Sequence, residues 1–442
     1  MKIGFISLGC SKNLVDTEMM IGICKENGLE IVNNENEADI ILINTCGFIQ
    51  SAKEEAINTI LEMSKYKKSG NCKYLIITGC LVKRYLEDLK KEIPEVDLWI
   101  TIEEYPQFWK KIKKLISQEK SYKQCRKKEQ EALDYHNRII TTGNKTAYLK
   151  IAEGCSNCCT YCAIPKIRGP YVSRKMEDII KEAEDLAKKG IEEIILIAQD
   201  TTKYGLDIYK QPKLVEIIKE ISKIEKIRWI RFLYAYPESI TDELIQEVKN
   251  NPKICKYFDI PIQHISDNIL KKMNRKSSGE SIRKLIEKIR KQIPEAVLRT
   301  SLIVGFPSET DENFKELYEF VKEAEFEKLG VFSYSKEDGT PAEKMKEQIH
   351  PMTKKRRWKK IMELQQEISR EKLTQKIGKE YKVLIENTTP DGKYFIGRTY
   401  MDVPDSDGVV YVKCKNNIKI GQFVECKIIA TSGEYDLIGE CK

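Results

Sequence analysis

The chain has 442 residues, 41% hydrophobic and 33% charged, which is too long for one ordinary domain and normal for a soluble globular protein. The apolar opening "IGFISLG" is too short for a signal-peptide core with its cleavage site, and no later run approaches the roughly 18 apolar residues that span a bilayer, so a cytoplasmic protein with no membrane partner is expected. In that reducing compartment tight clusters among the 14 cysteines favour metal ligation or redox chemistry over a disulfide framework, and the formal charge of +8 is mild.

The first ~110 residues alternate apolar β-rich runs with amphipathic helical stretches, the pattern of an α/β domain with a mostly parallel sheet. "KIGFISLG", "ADIILINT" and "KYLIITG" read as buried strands, and a helical pattern such as "SAKEEAINTILEMSKY" follows each. Cys10, Cys46 and Cys80 come directly after these three runs. That puts three thiols at the carboxyl ends of three predicted parallel strands, the edge where open α/β sheets bind ligands, and makes them a candidate metal centre. The ordinary alternative is that each is a small apolar residue at a buried strand end.

From about Lys110 to Lys145 the chain turns charged and loses periodicity, which marks a domain connection. A second α/β unit follows, with strands expected at "AYLKIA", "EEIILIAQ", "IRWIRFLY", "KYFDIPI", "VLRTSLIV" and "KLGVFSY". The helix in "MEDIIKEAEDLAKKG" puts Ile179, Ile180, Ala183, Leu186 and Ala187 on one face and stops at Gly190; another starts near "SETDENF". Six such units make an open, partial (β/α)6 version of a TIM-like barrel, in which chemistry gathers at the C-terminal strand ends. After a long basic helix, roughly Lys354 to Gln375, five short strands with turns fit a small closed OB-like barrel. The expected division is 1–115, a linker at 116–145, then 146–372 and 373–442.

The densest chemistry lies in "EGCSNCCTYCAIP", where Cys155, Cys158, Cys159 and Cys162 fall within eight positions. A structural zinc site joins two ligand pairs across a longer loop, and the adjacent Cys158 and Cys159 would strain a four-sulfur cage. Cys155, Cys159 and Cys162 instead suit three irons of a 4Fe-4S cluster, with one iron left open for a small molecule and Cys158 as a passenger. Cys24, Cys72, Cys125, Cys255, Cys414, Cys426 and Cys441 show no such arrangement and read as packing or incidental residues.

The pattern C-x3-C-x-aromatic-C in a partial β/α barrel resembles the radical S-adenosylmethionine superfamily. The phrases "SLGCSKNLVDTE", "NTCGFI", "TGC", "EGCSNCCTYCAIPKIRG", "TSLIVGFPSET" and "FSYSKEDGTPA", spread over the whole chain, are similar to those of the methylthiotransferases. The resemblance implies two 4Fe-4S clusters, one on Cys155, Cys159 and Cys162 and an auxiliary one on Cys10, Cys46 and Cys80, and a small C-terminal barrel of the TRAM type. One S-adenosylmethionine would methylate a sulfur carried by the auxiliary cluster; a second would yield the 5'-deoxyadenosyl radical that removes hydrogen from an unactivated carbon. By the same resemblance Tyr161 lies near the adenine, and the strand ends carrying Gln199, Asp200, Ile303 and Gly305 are where cofactor contacts are expected. The second barrel strand ends "AQD" where many radical enzymes have Gly-Gly-Glu, a departure from the resemblance that leaves open how the amino group of the cofactor would be held.

Within the family, one branch modifies an adenosine of transfer RNA and another the β-carbon of an aspartate in ribosomal protein S twelve. "DIPIQHISDNILKKMNR", with Gln263 and His264, and "GRTYMDVPDSDGVVYV" resemble the ribosomal-protein branch. The stretch from Lys376 to Lys442 balances ten basic against ten acidic residues, and Asp402, Asp405 and Asp407 in one turn suggest an acidic edge suited to a basic ribosomal protein. The basic run "TKKRRWKK" is the RNA-facing alternative. His264 is the one candidate catalytic side chain beyond the clusters, although a lone histidine at a strand end is more often structural. The expected partners are ribosomal protein S twelve, free or within its subunit, and separate electron and sulfur donors. The rivals are a transfer-RNA methylthiotransferase and a zinc-stabilised ribosome- or RNA-binding protein.

Overall fold

The computed structural model describes residues 1–117, 133–143, 145–414 and 418–441. Cys125 and much of the expected linker lie outside them. The N-terminal strands are β1 (Lys2–Ser7), β2 (Glu30–Val32), β3 (Ile40–Thr45), β4 (Tyr74–Gly79) and β5 (Leu98–Ile100), all parallel in the order β2-β1-β3-β4-β5. Alternation along β3 explains why it is central. Ile40 and Leu42 meet Met20, Ile23, Trp109 and Ile112 on one face, while Ile41 and Ile43 meet Ala56, Ile60, Leu81 and Leu89 on the other. The chain reverses direction of winding between β1 and β3, the switch point at which such sheets open a crevice at their carboxyl ends.

The central wall runs in chain order. After β6 (Thr146–Lys150), a two-residue ribbon pairs β7 (Ala152–Glu153) with β8 (Val172–Ser173) and frames the cysteine loop. Then follow β9 (Glu193–Ile197), β10 (Trp229–Phe232), β11 (Tyr257–Asp259), β12 (Val297–Val304) and β13 (Lys328–Ser333). They form two parallel three-stranded sheets, β6-β9-β10 and β11-β12-β13, joined by bonds such as Ala235 N–H to Asp259 O at 2.9 Å. Among the described residues no ladder closes β13 onto β6, so the barrel is partial, as expected. Helix Met176–Lys188 ends before Gly190, whose φ of +97° makes the turn, and helix Asp311–Ala324 is capped by Thr310 Oγ1 accepting from Asn313 N–H at 3.2 Å. No helix among the described residues is long and apolar enough to cross a membrane.

Helix Pro351–Thr374 leads into a closed five-stranded barrel of β14 (Glu380–Thr388), β15 (Phe395–Arg398), β16 (Val410–Lys413), β17 (Phe423–Ser432) and β18 (Asp436–Cys441). It docks across the amino ends of the central strands. Arg398 bonds Glu193 at 2.7 Å, Arg231 bonds the same carboxylate at 3.1 Å, and Trp229 stacks edge-on against Phe423 at 4.8 Å. This docking overturns the acidic edge expected from the sequence. Asp402 is buried against Lys328 at 2.8 Å, and Asp407 accepts from Tyr257 Oη at 2.7 Å; only Asp405 faces solvent. The basic run divides similarly: Arg357 is buried on Glu309 at 2.9 Å, whereas Arg356 and Lys359 are exposed. Cys414 and Cys441 are not incidental either, because the parallel register Lys413↔Glu440 brings them together and a disulfide joins them, Cα to Cα 5.3 Å.

Candidate functional site

The three strand-end cysteines lie at the carboxyl edge of the sheet, beside its switch point. Cys10 caps the helix Ser11–Glu26, Cys80 opens the helix Cys80–Glu92, and Cys46 follows β3. Two helix amino ends thus face the edge, a setting that favours negative charge and suits thiolate ligands. Gly9, at φ +92°, lets the backbone approach Cys46; a Cβ there would lie 2.6 Å from Cys46 Cβ and 2.9 Å from its Sγ. Asn13 stitches the edge, its Nδ2 donating to Leu8 O and Thr45 O at 3.0 Å each, with Cys80 Sγ 3.6 Å from its Oδ1. Burial pushes the Cys80 thiol up to about 12 and raises Cys46 as well, with the charge of Arg168 opposing both shifts.

The second set lies on the loop between β7 and β8. Cys155 and Cys159 are buried, Cys162 is half-buried, and burial pushes the Cys162 thiol up to about 12 and raises Cys155. Cys158 differs from all three. Its φ is +53°, its side chain is exposed, and its carbonyl accepts from Asn274 Nδ2 at 3.0 Å. The turn therefore sends Cys158 outward and its neighbours inward. Thr160 N–H bonds Met273 O at 3.1 Å and Cys155 N–H bonds Gly169 O at 3.1 Å, which fixes the loop to the barrel.

Around this loop the sequence-predicted residues take different parts. Tyr161 packs with Ile303, Phe306 and Tyr334, so Tyr161 and Ile303 share one apolar cluster beside the thiols. Gln199 donates to Glu153 at 3.2 Å while its Oε1 is buried without a partner. Asp200 is fully buried and accepts from Asn157 Nδ2 at 2.9 Å, so it braces the loop. Gly305 spends its N–H on Glu309 at 2.7 Å. His264 is fully buried, its Nδ1 accepting from Ser266 N–H at 3.0 Å, and burial holds it down at about 3 with the charge of Arg357 adding to the shift.

Sequence reasoning missed the residues that join the two sets. Arg168, six positions after Cys162, pairs with Asp16 at 2.9 Å and Glu153 at 3.0 Å, bonds Asn13, and reaches Cys80 Sγ at 3.7 Å. Lys150 pairs with Glu153 at 2.8 Å and also bonds Asp16. Burial alone would raise Glu153, but Lys150 and Arg168 hold it well below the usual carboxylate range. A chain of polar contacts therefore runs from Cys80 through Arg168 and the half-buried Glu153 to Gln199. Arg275 sits over the Tyr236 ring at 4.2 Å with Nε and Nη1 unpartnered, and Tyr236 Oη is 3.9 Å from Cys159 Sγ. Arg168, Lys150 and Arg275 each lie within a quoted phrase, but their partners Asp16 and Tyr236 belong to other elements.

Neither trio is arranged as a single-ion site. Each thiolate of a 4Fe-4S cluster takes its own iron, and among the described residues no three His, Cys, Asp or Glu side chains close on one ion. The orphaned Gln199 oxygen and Arg275 nitrogens, one an acceptor and the other donors, suit the amino and carboxylate groups of an amino-acid-like cofactor.

Comparison with known proteins agrees with this layout. Residues 149–321 match the radical SAM superfamily, residues 2–101 the uncharacterized protein family UPF0004, and residues 377–441 the TRAM domain. Ribosomal protein uS12 methylthiotransferase RimO of Alkaliphilus oremlandii is 63% identical over 442 residues, covering 100% of this chain and 99% of its own. The protein of the same description from Acetivibrio thermocellus is 52% identical over 445 residues, covering 99% and 98%. Among solved structures, the radical S-adenosylmethionine methyltransferase TsrM of Kitasatospora setae, with cobalamin and a 4Fe-4S cluster bound, aligns at TM-score 0.54 and 11% identity over 77% of this chain and 73% of its own. The cobalamin-dependent radical enzyme OxsB aligns at TM-score 0.51 and 13% identity over 83% and 56%. These two likenesses concern the fold alone. On the full-length matches, the chain belongs to the RimO methylthiotransferase family of radical SAM enzymes.

Proposed function

We propose that this enzyme adds a methylthio group to the β-carbon of an aspartate in ribosomal protein uS12, using two 4Fe-4S clusters and S-adenosylmethionine in the cytoplasm. Cys155, Cys159 and Cys162 would hold one cluster and Cys10, Cys46 and Cys80 the other. When bound, these groups supply one-electron reduction of the cofactor on one side and a sulfur carrier on the other. A radical is needed because no side-chain base removes an unactivated C–H proton at neutral pH. The protein's own residues would orient the partners: Tyr161 and Ile303, which share an apolar cluster, would hold the adenine, the unpartnered Gln199 Oε1 could accept from the cofactor amino group, and the unpartnered Arg275 nitrogens could donate to its carboxylate. Asp200 and Gly305 act through the backbone they brace, and His264 supports the barrel wall. Electron and sulfur donors are separate partners. Of the division 1–115, 116–145, 146–372 and 373–442, the first three would serve sulfur delivery, linkage and radical generation in turn, and 373–442 would brace the amino ends of the central strands.

The observation that carries this reading is Arg168, which follows one set of thiols and touches a thiol of the other. The acceptor assignment rests on the 52–63% identical relatives and no longer on the charge of the small barrel. Anaerobic incubation of the reconstituted enzyme with uS12 and, separately, with transfer RNA tests it. A methylthio mass shift on uS12 is expected; a shift on transfer RNA and none on uS12 would overturn the acceptor.

A further inference from the structure

Nine lysines and arginines are buried among the described residues, and seven of them pair with a carboxylate. The exceptions are Arg275 and Lys12. Arg275 lies beside Cys159 and Tyr236 and belongs to the cofactor side already described. Lys12 lies on the other side. It is 7% exposed, two residues after Cys10 and second in the helix Ser11–Glu26, where the helix dipole disfavours a cation. Its Nζ reaches out of the N-terminal domain to the barrel mouth, 3.4 Å from Ala198 O beyond β9 and 3.6 Å from the centroid of the Tyr234 ring beyond β10.

Besides that long bond, the ammonium faces the ring and hydroxyl of Tyr234 and the thiol of Cys10, and no carboxylate pairs with it. Nearby acids are already engaged: Asp259 accepts from Tyr234 N–H at 2.9 Å and faces Arg299 at 3.4 Å, while Asp16 serves Lys150 and Arg168. Tyr234 itself is held at φ +61°, a left-handed conformation that a bulky residue adopts only under constraint, and this puts its ring under the ammonium. A buried ammonium with no carboxylate partner, facing only the Cys10 thiol and the Tyr234 hydroxyl, is a cation at the barrel mouth to which a ligand's carboxylate can pair.

We propose that Lys12 binds the β-carboxylate of the acceptor aspartate and so fixes the carbon to be modified between the two sets of thiols. This rests on the uS12 reading given above. The carboxylate is bonded directly to the β-carbon, so anchoring it positions that carbon within one bond length. The ammonium keeps its proton and serves as a positioning cation throughout. Its place on the Cys10 side, bridging to the mouth of the barrel, is where a carbon must sit to be reached from one set and receive sulfur from the other.

The test is a ratio. Binding of uS12, and of uS12 with the acceptor aspartate replaced by asparagine, is measured on cluster-loaded wild type, Lys12→Met, Lys12→Gln and Lys12→Arg, with iron content determined alongside. The wild type should prefer the aspartate form by roughly 10–100-fold, the worth of a hydrogen bond to a charged group. Lys12→Met and Lys12→Gln should bind both forms alike, and Lys12→Arg should keep most of the preference. Because the ratio is taken within one protein, partial misfolding lowers both affinities and cannot mimic its loss. A preference retained in both neutral variants, or absent from the wild type, would overturn the role of Lys12 while leaving the uS12 reading intact. Methylthiolation of transfer RNA with none on uS12 would overturn that reading and this inference with it.

Discussion

The loop around Cys155, Cys159 and Cys162 and the strand-end set Cys10, Cys46 and Cys80 gather three thiols by opposite means. In the loop, a single left-handed residue, Cys158 at φ +53°, decides which of four neighbouring cysteines turn inward. At the sheet edge, no local turn could unite residues separated by 36 and 34 positions, and the parallel register of β1, β3 and β4 does so instead. The first arrangement needs only its own loop and the floor it rests on. The second needs a whole domain, and through Asn13 and Arg168 it also needs the barrel. The loop is thus a self-contained site, and the sheet-edge set is a site completed by docking.

The largest effect expected from that difference is on activity. Cys159→Ala should abolish both 5'-deoxyadenosine formation and methylthiolation, whereas Cys80→Ala should abolish methylthiolation and keep reductive cleavage of S-adenosylmethionine. Product analysis by chromatography checks this, and loss of cleavage in both variants would break the division of labour. Next in size is Arg168→Met. It leaves the buried Asp16 and the half-buried Glu153 with Lys150 as their remaining cation and, chiefly through Asp16, should cost about 3 kcal/mol of stability. The exposed Arg356→Ala should change stability by no more than about 0.5 kcal/mol. Denaturant unfolding of the two apo variants measures the contrast.

A smaller effect comes from His264, which the barrel wall keeps neutral. Burial lowers its folded value to about 3 while an unfolded histidine titrates near 6.5, so the unfolded chain binds the extra proton in between. The stability this contributes is complete above pH 6.5 and is lost as pH falls from there toward 3. Glu309, 3.8 Å from His264 Nε2 and pushed up to about 7 by burial, titrates in the opposite sense, its ionisation costing stability as pH rises from 4.5 to 7. The difference between wild type and His264→Gln reports the histidine together with any change its removal makes in Glu309. Relative to the variant, the wild type should lose roughly 2 kcal/mol between pH 7 and pH 5. Parallel pH profiles would sink the assignment.

Much of the fold was legible because its signals are local. Apolar runs of strand length marked β1, β3 and β4 and so put Cys10, Cys46 and Cys80 at their ends, and Thr310 and Gly190 marked helix termini. What stayed hidden depends on surfaces meeting. Asp402 and Asp407 read as an acidic edge because nothing near them in the chain announces Lys328 or Tyr257. Cys414 and Cys441 read as unrelated because a parallel pairing across 27 residues leaves no periodic trace. Arg168, Lys12 and Arg275 lie near recognisable phrases, yet their meaning comes from Asp16, Tyr234 and Tyr236, each in another part of the fold.

The central claim, two clusters each held by three of these six thiols, is tested most directly by iron and acid-labile sulfide content across four variants. Wild type should carry about eight irons per chain, and Cys159→Ala and Cys80→Ala about four each. The double variant should carry almost none, and Cys158→Ala the full complement. A loss in Cys158→Ala equal to that in Cys159→Ala, or an unchanged iron count in Cys80→Ala, would contradict it.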